Sequence, residues 1–246
     1  MSRLPTYLEY RVRRQPPIAR RVVRGSTPVV SFGDASTARV ATLGLNPSRR
    51  EFCDVRGRLL SGTERRLETL ESLGVRSLHD APDGAVRKVI QGCYRYFHGN
   101  VYGWFKPLQV VLDALGRSFA RGSACHLDLV QWATDPTWAK IARKEQLELL
   151  LADAWFLGEQ LRNERIRVVL ANGRGVADVL EQVSGVAFRR ASPDLVVGSV
   201  TARFTRAKIA GVPIIAWSTN LQSSFGVSSE LVKRIGGRVA RIARGL

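Results

Sequence analysis

Residues 166–175 read IRVVLANGRG, and their pattern is the clearest indication of the fold class. Residues 166–171 form a short run that is apolar except for Arg167 and ends at an Asn-Gly-Arg-Gly turn, and a helical pattern follows over residues 176–183. A second apolar run, residues 212–217, is followed by a basic amphipathic helix at residues 228–244. Short apolar strands that alternate with helices are typical of a parallel sheet covered on both faces. The sequence therefore predicts an α/β fold.

Two further runs complete the predicted sheet. Residues 39–45 are rich in strand-forming residues, and residues 124–130 form a shorter strand. We predict a three-layer αβα sandwich with a central, mainly parallel four-stranded sheet. Residues 29–32 should pair with residues 39–45 as a hairpin, because turn-forming residues separate them. Residues 196–204 are expected to add only a marginal pair of short strands.

The domain organisation follows from length and composition. A chain of 246 residues is long enough for one sizeable α/β domain, and no linker rich in Pro, Gly or Ser divides it. We predict a single domain over residues 29–246, preceded by a basic N-terminal arm at residues 1–28. The arm should be partly irregular, because its composition cannot build a core. It either grips a DNA backbone or is a solvated extension of the domain.

The charge balance points to a partner. The formal net charge is +17, and nearly all the cationic residues are arginine. Arginine pairs bidentately with phosphate and releases counterions from nucleic acid, so the charge favours DNA as the partner. The alternative is that the arginine content reflects only the base composition of the genome. That alternative does not remove the excess of positive charge, which persists when arginine and lysine are counted alike.

The cysteines and the hydropathy pattern exclude other classes. Three cysteines and three histidines are scattered without a zinc-site spacing, and an iron–sulfur cluster held by four cysteines is excluded. The N-terminus lacks the apolar region of a signal peptide, and no run approaches eighteen apolar residues. We expect a monomeric cytoplasmic protein associated with the nucleoid, with no cofactor, metal or membrane partner.

The segment at residues 40–52, VATLGLNPSRREF, reads as a buried strand followed by a tight loop, and this loop holds the strongest candidate site residue. Gly44 permits a close approach of the backbone, and Pro47 keeps Asn46 out of helical geometry. The Asn46 amide can donate and accept hydrogen bonds, but it cannot take a proton. Its expected task is to orient a water or a polar ligand. The alternative is an Asx-turn that only holds the loop.

A second polar loop, residues 217–224, follows the last buried strand. Its small polar side chains surround Leu221. One interpretation is a ligand-binding loop with hydroxyl and amide donors and an apolar wedge. The other is a capping loop for the final helix, although capping needs only one polar residue.

These two loops resemble those of the uracil-DNA glycosylase superfamily. Residues 44–47 match, residue by residue, the Gly-hydrophobic-Asn-Pro first motif of its mismatch-specific and single-strand-selective branches. The second motif in those branches reads His or Asn followed by Pro-Ser, whereas this chain has Ser218, Thr219 and Asn220. The resemblance spans the sheet region at residues 30–245, and its specific identity lies in the first motif.

The resemblance implies a DNA glycosylase of base-excision repair. Such an enzyme flips a damaged or deaminated base, uracil or a related one, out of the DNA and hydrolyses its N-glycosidic bond. Asn46 would position the attacking water, and Ser218 or Asn220 would donate to the base. A non-catalytic protein of the same fold that binds DNA or a modified base is the alternative. A nucleotide-dependent enzyme is a third possibility, against which the incomplete glycine pattern of residues 172–175 argues.

The resemblance also suggests further contacts, each with an alternative. Asp128 aligns with an Asn that reads the base edge, and as an acceptor it would favour cytosine or adenine over uracil; otherwise it caps a turn. Phe52 is either an aromatic platform for the base or a core residue. Leu221 is either an intercalating wedge or a packing residue. The remaining predicted contacts are with the base, from Gly44, Leu45, Pro47 and Ser48, and with DNA, from Arg49, Arg50, Gln222, Ser223 and Arg241.

Overall fold

The computed structural model describes residues 4–98, 103–223 and 226–246. Their contacts divide the chain into two compact units. Unit 1 takes its described residues from Met1–Phe32, Leu45–Tyr96 and Asp128–Glu159. Unit 2 takes its described residues from Gly33–Gly44, Phe97–Leu127 and Gln160–Leu246.

Helices and strands alternate along most of the described chain. The α-helices are α1 (Thr6–Arg13), α2 (Leu70–Leu73), α3 (Asp83–Tyr94), α4 (Lys106–Asp113), α5 (Arg143–Asn163), α6 (Arg174–Ser184) and α7 (Ser229–Arg244). The strands are β1 (Val40–Gly44), β2 (Ala124–Asp128), β3 (Val168–Asn172), β4 (Arg189–Val197), β5 (Val200–Ile209) and β6 (Val212–Trp217). The α/β class that the apolar runs predict is confirmed.

The sheet is mixed and six-stranded, with the strand order β2-β1-β3-β6-β5-β4. Strand β3 pairs in parallel with β1 and with β6, whereas β5 is antiparallel to both β6 and β4. The four predicted strands are present as consecutive neighbours in this order. The prediction of a mainly parallel four-stranded sheet is nevertheless wrong, because β4 and β5 extend the sheet by an antiparallel ribbon.

The antiparallel ribbon of β4 and β5 was not predicted at its full length, because most of its residues are exposed. Strand β4 has one buried residue, Leu195, and β5 buries Ala202 and Phe204. Charged and small polar residues occupy most other positions, which is unlike the apolar run of a strand buried on both faces. The sequence pattern therefore indicated a marginal pair of strands where the chain forms strands of 9 and 10 residues.

Helices cover both faces of the sheet in unit 2. Arg203 and Thr205 of β5 line a cavity with Arg174 of α6, whereas Phe204 lies beneath the guanidinium of Arg238 on α7, 5.8 Å from ring to cation. Successive residues of a strand point to opposite faces, so α6 and α7 lie on opposite sides of β5. Gly236 of α7 fits this packing, because a Cβ there would lie 3.3 Å from the backbone of α4.

The predicted hairpin of residues 29–32 with residues 39–45 is wrong. Residues 29–32 form no strand, and all four are buried rather than alternately buried and exposed. The backbone N–H of Val29 donates to the carbonyl of Gln131, 2.7 Å away, within unit 1. Burial on every side explains the apolar composition of this segment without pairing to the following strand.

The described part of the predicted arm, residues 4–28, contributes to the interior of unit 1. Helix α1 buries Leu8 and Val12, which are four residues apart on one face. Arg11 is fully buried, and its Nη2 lies 2.9 Å from Oδ2 of Asp153. Composition alone predicted an irregular segment, because it gives no sign that a buried carboxylate pairs with one of the arginines. Residues 1–3 lie outside the described residues.

Glu145 holds the segment that follows α1. Its two carboxylate oxygens accept hydrogen bonds from Arg20 at 2.7 Å and from Arg21 at 2.8 Å. The hydrogen bond from Arg21, followed by that from Arg20, holds the pKa of the Glu145 carboxyl below its ordinary value. The ionised carboxylate therefore stabilises the folded state of unit 1 at neutral pH.

We expect the variant Glu145→Gln to melt at a lower temperature than the wild type at about pH 7, with a difference that closes below about pH 4. A lowered pKa in the folded state contributes stability above the unfolded pKa, and this stability is lost as the pH falls. Thermal unfolding at several pH values measures the difference. Glu148→Gln, at an exposed position of the same helix, is the control. A difference that is the same at acidic and neutral pH would contradict this role.

Candidate functional site

Three parallel strands end at one edge of the sheet in unit 2. Strand β1 ends at Gly44, β3 ends at Asn172 and β6 ends at Trp217, and the register pairs Leu43 with Ala171 and Asn172 with Trp217. Ligands of open α/β sheets bind beyond the carboxyl ends of such strands. The two loops singled out in the sequence begin directly after β1 and β6.

Asn46 follows β1 by two residues and lies in unit 1, where its amide nitrogen is anchored. Nδ2 donates to the carbonyl of Pro47 at 3.0 Å and to Oγ1 of Thr134 at 3.1 Å, and the carbonyl of Trp132 lies 3.4 Å away. Carbonyl oxygens only accept hydrogen bonds, so they require the NH₂ group to face them. The orientation of the amide is therefore determined by its neighbours.

The oxygen of the Asn46 amide, unlike the nitrogen, is not anchored by a hydrogen bond from any described residue. Within residues 4–98, 103–223 and 226–246, no donor makes a hydrogen bond to Oδ1 of this half-buried side chain. In an Asx-turn the side-chain oxygen accepts from a backbone N–H two residues later, and here it does not. Asn46 is thus a fixed acceptor with its oxygen available to a water or a ligand.

The other predicted residues of the first loop have structural roles here. Ser48 caps the short 3₁₀ turn Arg49–Glu51, because its Oγ accepts a hydrogen bond from the N–H of Arg50 at 3.2 Å. Pro47 is buried, and Leu45 accepts a hydrogen bond through its carbonyl from the N–H of Val130 at 2.9 Å. These contacts make the backbone around Asn46 rigid.

Phe52 is 1% exposed. The structure therefore favours the core alternative for this residue over an aromatic platform. Arg49, a predicted DNA contact, forms an ion pair with Asp135 at 3.2 Å, whereas Arg50 is exposed. Asp128 is the last residue of β2 and is 5% exposed.

Two residues that support Asn46 were missed by the sequence analysis. Trp132 and Thr134 lie in the loop that follows β2, and both are buried. The predicted site residue nearest to them in the chain is Asp128, the last residue of β2, which lies six positions before Thr134. No local pattern marks Thr134 as a partner of a residue 88 positions away.

A buried carboxylate also lies in the first loop. Glu51 is 1% exposed, and the hydroxyl of Tyr96 donates a hydrogen bond to its Oε2. The guanidinium of Arg66 lies 3.8 Å from the same oxygen. The cluster keeps the segment after Asn46 in place, and only the fold brings its three residues together.

In unit 2, Asn172 organises the loop after β6. Its Oδ1 accepts from the indole N–H of Trp217 at 3.1 Å and from the backbone N–H of Leu221 at 3.0 Å. Its Nδ2 donates to Asn220 and to Gln222, each at 3.0 Å. All four hydrogen-bonding positions of the amide are used. Asn172 is the first residue of the incomplete glycine pattern at residues 172–175, and its hydrogen bonds hold this loop together.

The amide of Asn220 is anchored through its oxygen, whereas the amide of Asn46 is anchored through its nitrogen. Its Oδ1 accepts from Nδ2 of Asn172 and from the backbone N–H of Gln222, both at 3.0 Å. The backbone donor identifies this atom as oxygen, so the NH₂ group points away. The side chain is exposed, and its Nδ2 meets no acceptor in the described parts of the chain. Asn220 is therefore a fixed donor available to a ligand.

The neighbours of Asn220 are mostly structural. Ser218 accepts through its Oγ from the N–H of Arg203 at 3.0 Å, which leaves its own proton free to donate. Leu221 is 1% exposed, so the structure favours the packing alternative over an intercalating wedge. Gln222 donates to the carbonyl of Trp104 at 3.1 Å, and Ser223 is exposed. Ser224 lies outside the described residues.

Gly173 permits the close approach of this loop to β3. Its φ is +96°, and a Cβ at this position would lie 3.1 Å from the Cβ of Asn220. Any other residue would clash with the loop and adopt a strained backbone. The glycine therefore serves loop packing, which explains it without a dinucleotide.

We expect Asn172→Ala to lower the free energy of unfolding by ~2–4 kcal/mol, because it leaves the N–H groups of Trp217 and Leu221 buried without an acceptor. Urea denaturation followed by tryptophan fluorescence measures the loss. Asn220→Ala removes one exposed partner of the same network and should cost less than ~1 kcal/mol. Equal stability of Asn172→Ala and the wild type would show that the network does not order this loop.

The surface of the ribbon is strongly basic. Arg189 of β4 lies directly opposite Arg206 of β5, and like charges in this position destabilise a sheet. Asp194 offsets part of the charge, with oxygens 3.1 Å from Arg190 and 3.9 Å from Arg203. On α7, the predicted contact Arg241 is exposed. An anionic partner would relieve the repulsion within the ribbon.

A scan against protein-family models and a search of curated proteins return no match for this chain. Within the part of the chain that the structure describes, no group of three or more His, Cys, Asp and Glu side chains is arranged to hold a metal ion. Across the same residues, no helix combines the length and the apolar character needed to cross a membrane.

Proposed function

We propose that the chain is a DNA glycosylase-like hydrolase that removes a flipped, damaged or deaminated base by cleaving its N-glycosidic bond, as in base-excision repair. The observation that carries the proposal is the amide of Asn46. Its nitrogen is anchored by Pro47 and Thr134, and its oxygen is open. Such an amide holds a water in one orientation without competing for its proton.

The chemistry of the bond agrees with a residue that cannot act as a base. As the bond to the base breaks, positive charge develops on the sugar, as in other glycoside hydrolyses. Water attacks such a cationic carbon readily, so placing the water matters more than deprotonating it. The proton of the attacking water passes to solvent after the new C–O bond has formed. An amide acceptor is sufficient for this task.

The leaving base takes the electron pair of the broken bond and becomes anionic. A neutral donor aimed at a base oxygen stabilises this charge, and the loss of one such donor typically costs about 10²–10³-fold in rate. In our proposal the donor is Nδ2 of Asn220, with the hydroxyl of Ser218 as a second one. Both are held by their oxygens, so their donor groups are available.

Binding to a polyanion is supported by charge. The net charge of +17 and the facing pair Arg189 and Arg206 both favour phosphate groups as partners. Binding of this kind weakens steeply as salt rises, because counterions are released. An affinity for DNA that does not change with salt would show that the charge is incidental.

A base-release assay tests the proposal. The protein is incubated with single- and double-stranded oligonucleotides that carry uracil, hydroxymethyluracil or hypoxanthine, and abasic sites are scored by alkaline cleavage. Abasic product from at least one substrate is expected. Salt-dependent binding with no abasic product from any substrate would instead support a non-catalytic protein that binds DNA or a modified base.

A further inference from the structure

Unit 1 contains a cavity of about 460 Å³ that the base-release proposal does not use. Its walls come from the segment after α1 and from the loop after β2, which supplies Trp132 and Asp135. The volume lies in the range of pockets that hold small molecules, about 300–1,000 Å³.

Positive charge surrounds the cavity. Arg14, Arg20 and Arg24 line it. Arg20 is paired with Glu145, whereas Arg14 and Arg24 make no ion pair or side-chain hydrogen bond with any residue that the structure describes. Asp135 is the one acid in the described lining, and it is paired with Arg49 at 3.2 Å. The cavity therefore favours an anion.

Two buried donors in the lining lack a partner. Oγ of Ser26 and Nε1 of Trp132 make no hydrogen bond with the described residues, and each atom exposes less than 1 Å² of surface in residues that are 5% and 4% exposed. Buried polar groups in native proteins are nearly always hydrogen-bonded, so a missing partner points to a ligand or water. Both residues line the cavity, and a ligand reaches the two donor atoms only when the side chains that cover them shift slightly.

The rest of the lining is apolar. Val22, Val23 and Leu78 are each at least 90% buried and form part of the walls. A ligand that fits must therefore combine three properties. It carries a phosphate-like anion for the arginines, acceptor oxygens for Ser26 and Trp132, and a flat body for the apolar walls.

We propose that this cavity binds a nucleoside monophosphate unit. The phosphate lies against Arg14 and Arg24, and the base enters between the apolar walls with its carbonyl oxygens accepting from Ser26 and Trp132. A pyrimidine with two carbonyl groups matches the two unpartnered donors. The unit is either a free mononucleotide or one nucleotide of a strand. Asn46 is not among the residues that line the cavity, although the carbonyl of Trp132 lies 3.4 Å from its amide nitrogen, and occupancy of the cavity is measured without any base release.

Titration with thymidine 5′-monophosphate, followed by calorimetry, tests the proposal. The monophosphate should bind, and more tightly than either thymidine or inorganic phosphate. Ser26→Ala should weaken binding about three- to tenfold while the melting temperature stays the same or rises, because the variant removes a buried hydroxyl that has no partner. A residue that served only to stabilise the fold would not lower affinity while leaving stability intact.

Further variants sharpen the test. Trp132→Phe removes the N–H but keeps an aromatic ring, and it should also weaken binding about three- to tenfold. Arg24→Gln should weaken the binding of the monophosphate but not the binding of thymidine. Arg56→Gln makes an equal change of charge at an exposed position outside the lining, and it should leave the binding of both unchanged. Monophosphate binding that is absent, or unchanged in both Ser26→Ala and Arg24→Gln, would overturn the proposal.

A competition experiment separates the two sources of the nucleotide. A short thymidine oligonucleotide is added to the protein loaded with the monophosphate. Displacement assigns the cavity to a nucleotide within a strand, and retention of the monophosphate assigns it to a free nucleotide.

Discussion

Replacing Asn46 with alanine is expected to lower the single-turnover rate of base release by about 10²–10³-fold. The variant loses the open Oδ1 that holds the attacking water. It removes no charge, so the affinity for DNA should change by less than about twofold. Quenched-reaction kinetics with enzyme in excess over the preferred oligonucleotide measure the rate, and fluorescence anisotropy measures the affinity.

Thr134→Val is the matched control for Asn46→Ala. It removes one of the acceptors that anchor Nδ2 of Asn46. The open Oδ1 of Asn46 and the shape of the side chain at position 134 are kept. The contact with the carbonyl of Pro47 remains. We expect a smaller loss of rate, about tenfold, because the amide becomes less firmly oriented. A rate for Asn46→Ala equal to that of the wild type would remove Asn46 from the mechanism.

Replacing Arg11 with methionine is expected to lower the free energy of unfolding by ~3–5 kcal/mol. The substitution leaves the carboxylate of Asp153 buried without its ion-pair partner, which lies 2.9 Å away. Burial lowers the pKa of the Arg11 guanidinium and raises the pKa of the Asp153 carboxyl, so each charge depends on the other. Urea denaturation of the wild type and the variant gives the difference.

The double variant Arg11→Met, Asp153→Leu serves as the control. It removes both charges, so its loss of stability should be smaller than that of Arg11→Met alone. An arm that is merely solvated would behave differently, because Arg11→Met would then change the free energy of unfolding by less than ~0.5 kcal/mol. Such a result would contradict the placement of α1 in the interior of unit 1.

The strands that could be predicted from the sequence are those buried on both faces. Strands β1, β3 and β6 are runs of apolar residues that end at turn-forming or polar residues, and these features are local. Strands β4 and β5 are partly exposed, and their arginine and threonine residues interrupt the pattern of apolar residues by which a strand is recognised. Helix α1 was missed for a related reason, because the partner that makes Arg11 a core residue is 142 positions away.

The sequence indicated where the two candidate loops lie, but not the hydrogen bonds that each of them makes. Strand ends and a tight turn identified the loops of Asn46 and Asn220. The hydrogen bonds that determine which atom of each amide is open come from Thr134 and Asn172, which are distant in the chain. Burial of Phe52 and Leu221 depends likewise on packing, and a loop sequence does not report it.

Release of free base under single-turnover conditions is the decisive measurement for the proposed hydrolase. The wild type and Asn46→Ala are each incubated with the pooled set of modified oligonucleotides. Mass spectrometry then detects the released base without assuming which base it is. We expect a free base and a matching abasic strand from the wild type, and about 10²–10³-fold less of both from the variant. Equal release by the two proteins, or none from the wild type, would contradict it.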